Sequence, residues 1–132
     1  MILLVEDNED DVFIMEQVLK KLPLKHRVHL AEDGQQALDY LEGIGKYSDR
    51  AIYPYPAIIF LDLKLPKVHG FEVLTWISKQ PIIKEIPVAM LTSSPEPRDR
   101  ERAANLGART FLVKPPTPEV LIEALKLIVT RD

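Results

Sequence analysis

Five short apolar runs recur along the chain, and each is followed by a segment with helical spacing. They are Ile2–Val5, Val28–Ala31, residues 57–61, residues 88–91 and Thr110–Val113. None of the five alternates cleanly between apolar and polar, which is how strands buried on both faces of a sheet read. The intervening segments carry their own signals. Val12, Met15, Val18 and Leu19 form one helical face behind a polar start of Asn8, Glu9, Asp10 and Asp11. Further helices are expected over residues 35–41, 71–79, 98–106 and Pro118–Val129, with Gly107 ending the fourth and Pro97 and Pro118 at first-turn positions. Strict strand–helix alternation predicts an α/β fold, a doubly wound parallel sheet with helices on both faces and right-handed crossovers. The one irregular connection is GIGKYSDRAIYPYP, residues 43–56, expected as a packed or solvated loop.

Composition narrows the function classes. A chain of 132 residues that is 46% hydrophobic is one domain with a proper core. Its net charge of −3 is spread without a basic stripe, so no nucleic-acid partner is expected. With no cysteine, a disulfide framework and a thiolate metal site are excluded, in keeping with a cytoplasmic setting. The apolar run MILLV stops at Glu6 and Asp7, too short for a signal sequence or a membrane span.

In an open parallel sheet the functional crevice lies outside the carboxyl ends of the strands. Those ends carry Glu6 and Asp7, then Asp62, then Thr92 and Ser93, then Lys114. Alone, the first pair reads as helix-dipole acids, Thr92 and Ser93 as turn formers, and Lys114 as a solvated lysine. Together they put three carboxylates and an ammonium on one edge. Three packed acids repel unless a cation sits among them, and oxygen-only donors favour a hard ion such as Mg²⁺. A carboxylate beside such an ion can attack phosphorus and form an acyl phosphate, and Asp62 is the candidate nucleophile. Lys114 and the Thr92 hydroxyl would then meet the other phosphoryl oxygens, and a cis Lys114–Pro115 bond would aim the lysine at the site.

The pieces LLVEDN, AEDGQQAL, IIFLDLKLPKVHGFEVL, IPVAMLTSS, NLGA and FLVKP, in that order, resemble the response-regulator receiver domain over essentially the whole chain. The resemblance implies the flavodoxin-like receiver fold, five helices around a five-stranded sheet of order 2-1-3-4-5. It implies a single receiver domain over residues 1–132 with no output domain. Asp62 would accept a phosphoryl group from a sensor histidine kinase, and the chain would catalyse only its own phosphorylation and dephosphorylation. Glu6, Asp7, Asp62 and the backbone carbonyl of Lys64 would bind Mg²⁺, Thr92 and Phe111 would form a switch pair, and Lys64 and Ser94 would tune the phosphoryl lifetime. Glu6 stands where many receivers have aspartate, and Phe111 replaces the commoner tyrosine, which removes a hydroxyl. The long 43–56 connection and the LDLxLP wording look like the stand-alone receivers paired with phytochrome-type histidine kinases.

Apolar residues wrap more than one stripe of the last helix, leaving Ile122 and Val129 off the sheet-facing side. This predicts a homodimer through the fourth helix, fifth strand and fifth helix. His26, His29 and His69 lack ligand spacing and are expected in surface or loop positions, while Trp76 is expected to pack. A haloacid-dehalogenase-type phosphohydrolase is disfavoured because Lys64 occupies the place of its second aspartate. A scaffold receiver would have lost some of the acids or the lysine, and a flavodoxin-like cofactor site lacks its phosphate loop.

Overall fold

The computed structural model describes residues 1–23, 26–93 and 95–129, with nothing stated for the side chains of residues 127–129. Five strands form one parallel sheet: β1 (Ile2–Val5), β2 (Val28–Ala31), β3 (Ile58–Asp62), β4 (Val88–Thr92) and β5 (Thr110–Val113), in the order β2-β1-β3-β4-β5. Five helices alternate with them: α1 (Glu9–Lys20), α2 (Gly34–Glu42), α3 (Gly70–Ser78), α4 (Pro97–Asn105) and α5 (Pro118–Val129). This is the flavodoxin-like receiver fold that the sequence implies. Among the described residues no helix is long and apolar enough to cross a membrane.

Alternate residues of each strand supply two separate cores, which is why the strands read as unbroken apolar runs. Leu3, Val5, Ile59, Leu61 and Met90 pack with Ala37 and Tyr40 of α2, Phe71 and Leu74 of α3, and Ala103 of α4. Ile2, Leu4, Phe60, Ala89 and Leu91 pack on the other face with Met15 and Leu19 of α1 and Leu121 and Ala124 of α5. Each fully buried leucine contributes about 1.5–3 kcal/mol, so both faces hold the central strands rigidly.

Two strand boundaries differ from expectation in a way that matters for the site. β3 starts at Ile58 and includes Asp62, and β4 includes Thr92, so both polar residues are paired strand termini and not the first residues of loops. Asp62 sits opposite Leu91, and Thr92 opposite Val113. Their carboxylate and hydroxyl therefore project from fixed backbone.

The 43–56 connection is packed. Arg50 donates to the carbonyls of Leu41 at 2.6 Å and Tyr40 at 2.8 Å, and its guanidinium lies 4.4 Å from the Tyr55 ring centroid. Those carbonyls belong to the last turn of α2, so the arginine caps the helix while it folds the loop back. The Tyr40 hydroxyl donates to Pro54 O at 2.8 Å. His29 is corrected here: it is neither a loop nor a surface residue but lies half-buried in β2, its ring 4.7 Å from Tyr40 and near Tyr47 and Tyr53. Burial, with a smaller push from Lys46, lowers its proton affinity. His69, as expected, sits in a loop, where its Nδ1 accepts from the Phe71 N–H and caps α3. Trp76 packs against the α2–α3–α4 core.

A second correction concerns α5. Ile122 is half-buried and packs against the core on the α1 side. The α5 stripe is wider than a simple amphipathic count allows, because the helix lies against both the sheet and α1. The side chain of Val129 lies outside the described residues.

Candidate phosphoacceptor site

The carboxyl edge is built by strand termini and braced from beneath. The Glu6 N–H donates to Ala31 O at 3.0 Å, carrying the β1–β2 ladder one residue past the strand and fixing a glutamate that is fully buried. Asp7 follows, exposed to solvent. Asn8 caps α1 by accepting from the Asp11 N–H at 3.0 Å. Asp62, 5% exposed, ends β3 at the centre of the sheet. The chain then turns: Leu63 N–H donates to Leu91 O at 2.9 Å, and Gly70 N–H returns to Leu63 O at 3.0 Å. Gly70 is required there, since a Cβ would run into the carbonyls of Asp62 and Leu63.

One oxygen from each of Glu6, Asp7 and Asp62 can be chosen so that all lie within 4.8 Å of one another. Lys114 reaches into this group from the end of β5. Its Nζ donates to Asp11 Oδ2 at 2.8 Å, Glu6 Oε1 at 2.9 Å and Asp62 Oδ2 at 3.3 Å. Its backbone N–H donates to Thr92 O at 2.8 Å, and the Lys114–Pro115 bond is cis. Thr92 is 2% exposed beside Asp62.

Burial pushes the Glu6 carboxyl up to about 7, with Lys114 pulling it back and the neighbouring Asp62 adding to the rise. For Lys114, burial alone would weaken the ammonium, but the hydrogen bonds to Asp11 and Glu6 and the charge of Asp62 outweigh it and strengthen it. Both groups hold their protons more tightly, Glu6 because burial outweighs the pull of one lysine and Lys114 because several acids surround it. One lysine cannot neutralise them all.

The structure thus brings together Glu6, Asp7, Asp62, Thr92 and Lys114 on one edge. Lys64 stands beside them with an exposed side chain, its N–H 3.4 Å from Asp62 Oδ1. Phe111, on β5, is turned into the core and covered by the Arg100 guanidinium at 5.3 Å. Ser94 lies outside the described residues. Sequence reasoning missed two residues. Asp11 reads as a helix-start acid, yet from the first turn of α1 its carboxylate reaches the Lys114 ammonium at 2.8 Å. Asp33 caps α2 by accepting from the Gln36 N–H at 2.8 Å and pairs with Lys67 of the β3–α3 turn at 3.5 Å. The signal for it was the Asp-Gly pair ahead of an amphipathic segment.

Fold and edge together put the chain among the phosphorylatable receivers of two-component signalling. The chain belongs to the response regulator receiver domain family, whose model matches residues 2–126. It is 38% identical over 114 residues to the response regulator Rcp1 of Synechocystis sp., covering 86% of this chain and 76% of that protein. A probable methanogenesis regulatory protein, FilR2 of Methanothrix harundinacea, is 37% identical over 118 residues, covering 87% of this chain and 72% of the relative. Among solved structures, the bacteriophytochrome response regulator AtBRR superposes with a TM-score of 0.86 at 42% identity, over 99% of this chain and 93% of that one. The Mn²⁺-bound form of Rcp1 superposes with a TM-score of 0.79 at 35% identity, over 96% and 87%.

Proposed function

We propose that Asp62 is the phosphoacceptor of a Mg²⁺-dependent switch charged by a sensor histidine kinase. The observation that carries this reading is the meeting of the buried Asp62 carboxylate with Lys114 at 3.3 Å and with two further carboxylates within 4.8 Å. An Asp62 oxygen would attack phosphorus as the bond to the donor imidazole breaks, giving an acyl phosphate and a neutral imidazole once the ring is protonated. Lys114 would pair with one phosphoryl oxygen, and the Thr92 hydroxyl would hydrogen-bond another.

The donor set fits a hard divalent ion: three carboxylates, a single lysine paired with Glu6 and Asp62, and a buried Glu6 whose ionisation is resisted. Glu6, Asp7, Asp62 and the Lys64 carbonyl would hold Mg²⁺, which when bound supplies charge neutralisation for the transferring phosphoryl group. The Mn²⁺-bound relative supports this choice of ion class.

Thr92 and Phe111 would carry the response, with the hydroxyl drawn to the phosphoryl group and the ring position following. Lys64 and Ser94 would tune the lifetime of the acyl phosphate, and the only chemistry catalysed would be its formation and hydrolysis. The likeness to a bacteriophytochrome response regulator over 93% of that chain supports a phytochrome-type kinase as partner. A homodimer through α4, β5 and α5 is supported by the exposed Val113 and Val120, which lie on that face.

The test is incubation of the full chain with Mg²⁺ and acetyl phosphate, followed by intact mass. One added phosphoryl group in wild type, absent in Asp62→Asn, is expected. Modification that persists in Asp62→Asn would move the acceptor elsewhere.

A further inference from the structure

Lys114 has a third carboxylate partner that the acid trio does not include. An ammonium carries three N–H donors, and here all three are committed, to Asp11, Glu6 and Asp62. Two of these acceptors change during the reaction proposed above, on which this inference rests. Glu6 belongs to the trio that takes the cation, and Asp62 loses its carboxylate charge when it becomes an acyl phosphate. Asp11 does neither. It makes the shortest of the three contacts, 2.8 Å, from the first turn of α1, where the Asn8 side chain holds its N–H at 3.0 Å.

We propose that Asp11 is the positioning residue for Lys114, the one acceptor that holds the ammonium at the mouth of the site through the whole phosphorylation cycle. A lysine side chain loses rotamer freedom when fixed, so an anchor that persists keeps that cost from falling on the transfer step. The bland alternative is that Asp11 only complements the α1 dipole. Glu9 and Asp10 occupy the same first turn and already serve that purpose. The dipole also gives no reason for a charge-assisted hydrogen bond to a residue 103 positions away.

Asp11→Asn keeps size and backbone cap while removing the charge. With the full chain, Mg²⁺ and acetyl phosphate, we expect phosphorylation of Asp11→Asn to be about tenfold slower than wild type, and Asp11→Glu to recover most of the rate. In a Lys114→Met background the same Asp11→Asn change should alter the rate by less than about twofold, because the anchor has nothing left to hold. A pure charge effect has the opposite sign, since losing an anion speeds transfer from an anionic donor. An unchanged or faster Asp11→Asn, or an equal slowing with and without Lys114, overturns the proposal. A second measurement separates this outcome from failure of the acceptor assignment. Acylation of Lys114 by acetic anhydride, read by peptide mass, should rise several-fold in Asp11→Asn whether or not Asp62 can be phosphorylated. No rise overturns the anchoring role.

Discussion

Replacing Asp62 by asparagine should stabilise the protein when Mg²⁺ is absent and lose that advantage when it is present. At an effective dielectric of about 20, a carboxylate within 4.8 Å of Asp62 repels it by at least about 3.5 kcal/mol, and Lys114 at 3.3 Å attracts it by about 5 kcal/mol. Glu6 is buried and keeps its full repulsion when ionised, whereas Asp7 is exposed and screening reduces its share to about 1 kcal/mol. Attraction and repulsion therefore nearly cancel. What remains uncompensated is the desolvation of a carboxylate only 5% exposed, a cost of a few kcal/mol that asparagine does not carry. The amide oxygen can still accept from Lys114, so the hydrogen bond is weakened and not lost. The net expectation at pH 8 is about 1–2 kcal/mol in favour of the variant, or roughly 4–8 °C in Tm. At 100 times its dissociation constant, Mg²⁺ adds about 2.7 kcal/mol to wild type and less to a variant lacking one carboxylate ligand. The order should then reverse. Urea unfolding at pH 8, with EDTA and with saturating Mg²⁺, measures both. A variant less stable than wild type in EDTA would show that the lysine outweighs the crowded acids, and equal stabilisation of both proteins by Mg²⁺ would remove Asp62 from the metal site.

Wild type in EDTA should lose about 3 kcal/mol of stability between pH 4.5 and 7, because the folded state keeps the Glu6 proton up to about pH 7 while the unfolded chain releases it near 4.5. The contribution is full below pH 4.5 and gone above 7, and a flat urea-unfolding profile across that window would contradict the burial argument. Lys114, whose raised affinity works in the same sense at the alkaline end, keeps its contribution until pH rises above 10.5, as unfolding between pH 9 and 11 should record. Arg50→Ala removes charged hydrogen bonds to the end of α2 and should open residues 43–56 to limited proteolysis, with about 2 kcal/mol lost in chemical unfolding. Cleavage there at the wild-type rate would mean the loop holds itself. Gly70→Ala forces the carbonyls of Asp62 and Leu63 to move, so it should cost about 1–3 kcal/mol and weaken Mg²⁺ binding by calorimetry; intact binding would show that the turn relaxes elsewhere.

The fold was legible because a doubly wound sheet leaves a redundant record. The central strands are buried on both faces, so Ile2 through Val5 had no choice but to be apolar at every position, and the crossover helices carry their own apolar stripes. Neither feature depends on which strands end up adjacent. The trio of acids and the lysine were legible for a different reason: a charge at the end of a run such as Ile58 to Leu61 has no role in the strand itself, and the sheet collects all such ends on one edge.

The residues that escaped are those whose local role is satisfactory alone. Asp11 is a good helix-start acid, Asp33 a good cap and His29 an unremarkable strand residue, so nothing in their own neighbourhoods asks for a partner. Their second contacts come from chain far away: Lys114 for Asp11, Lys67 for Asp33, and Tyr47 and Tyr53 for His29. Ile122 failed in the opposite sense, since it looked surplus to the sheet only because a helical wheel cannot show that α1 lies beside α5. A pattern within one element reports the face that the element must bury. It does not report which neighbour buries the rest. For that reason the acid at residue 11, invisible as part of the site in the sequence, becomes the one whose removal most directly separates a crowd of charges that merely coexist from one in which each carboxylate has its own task.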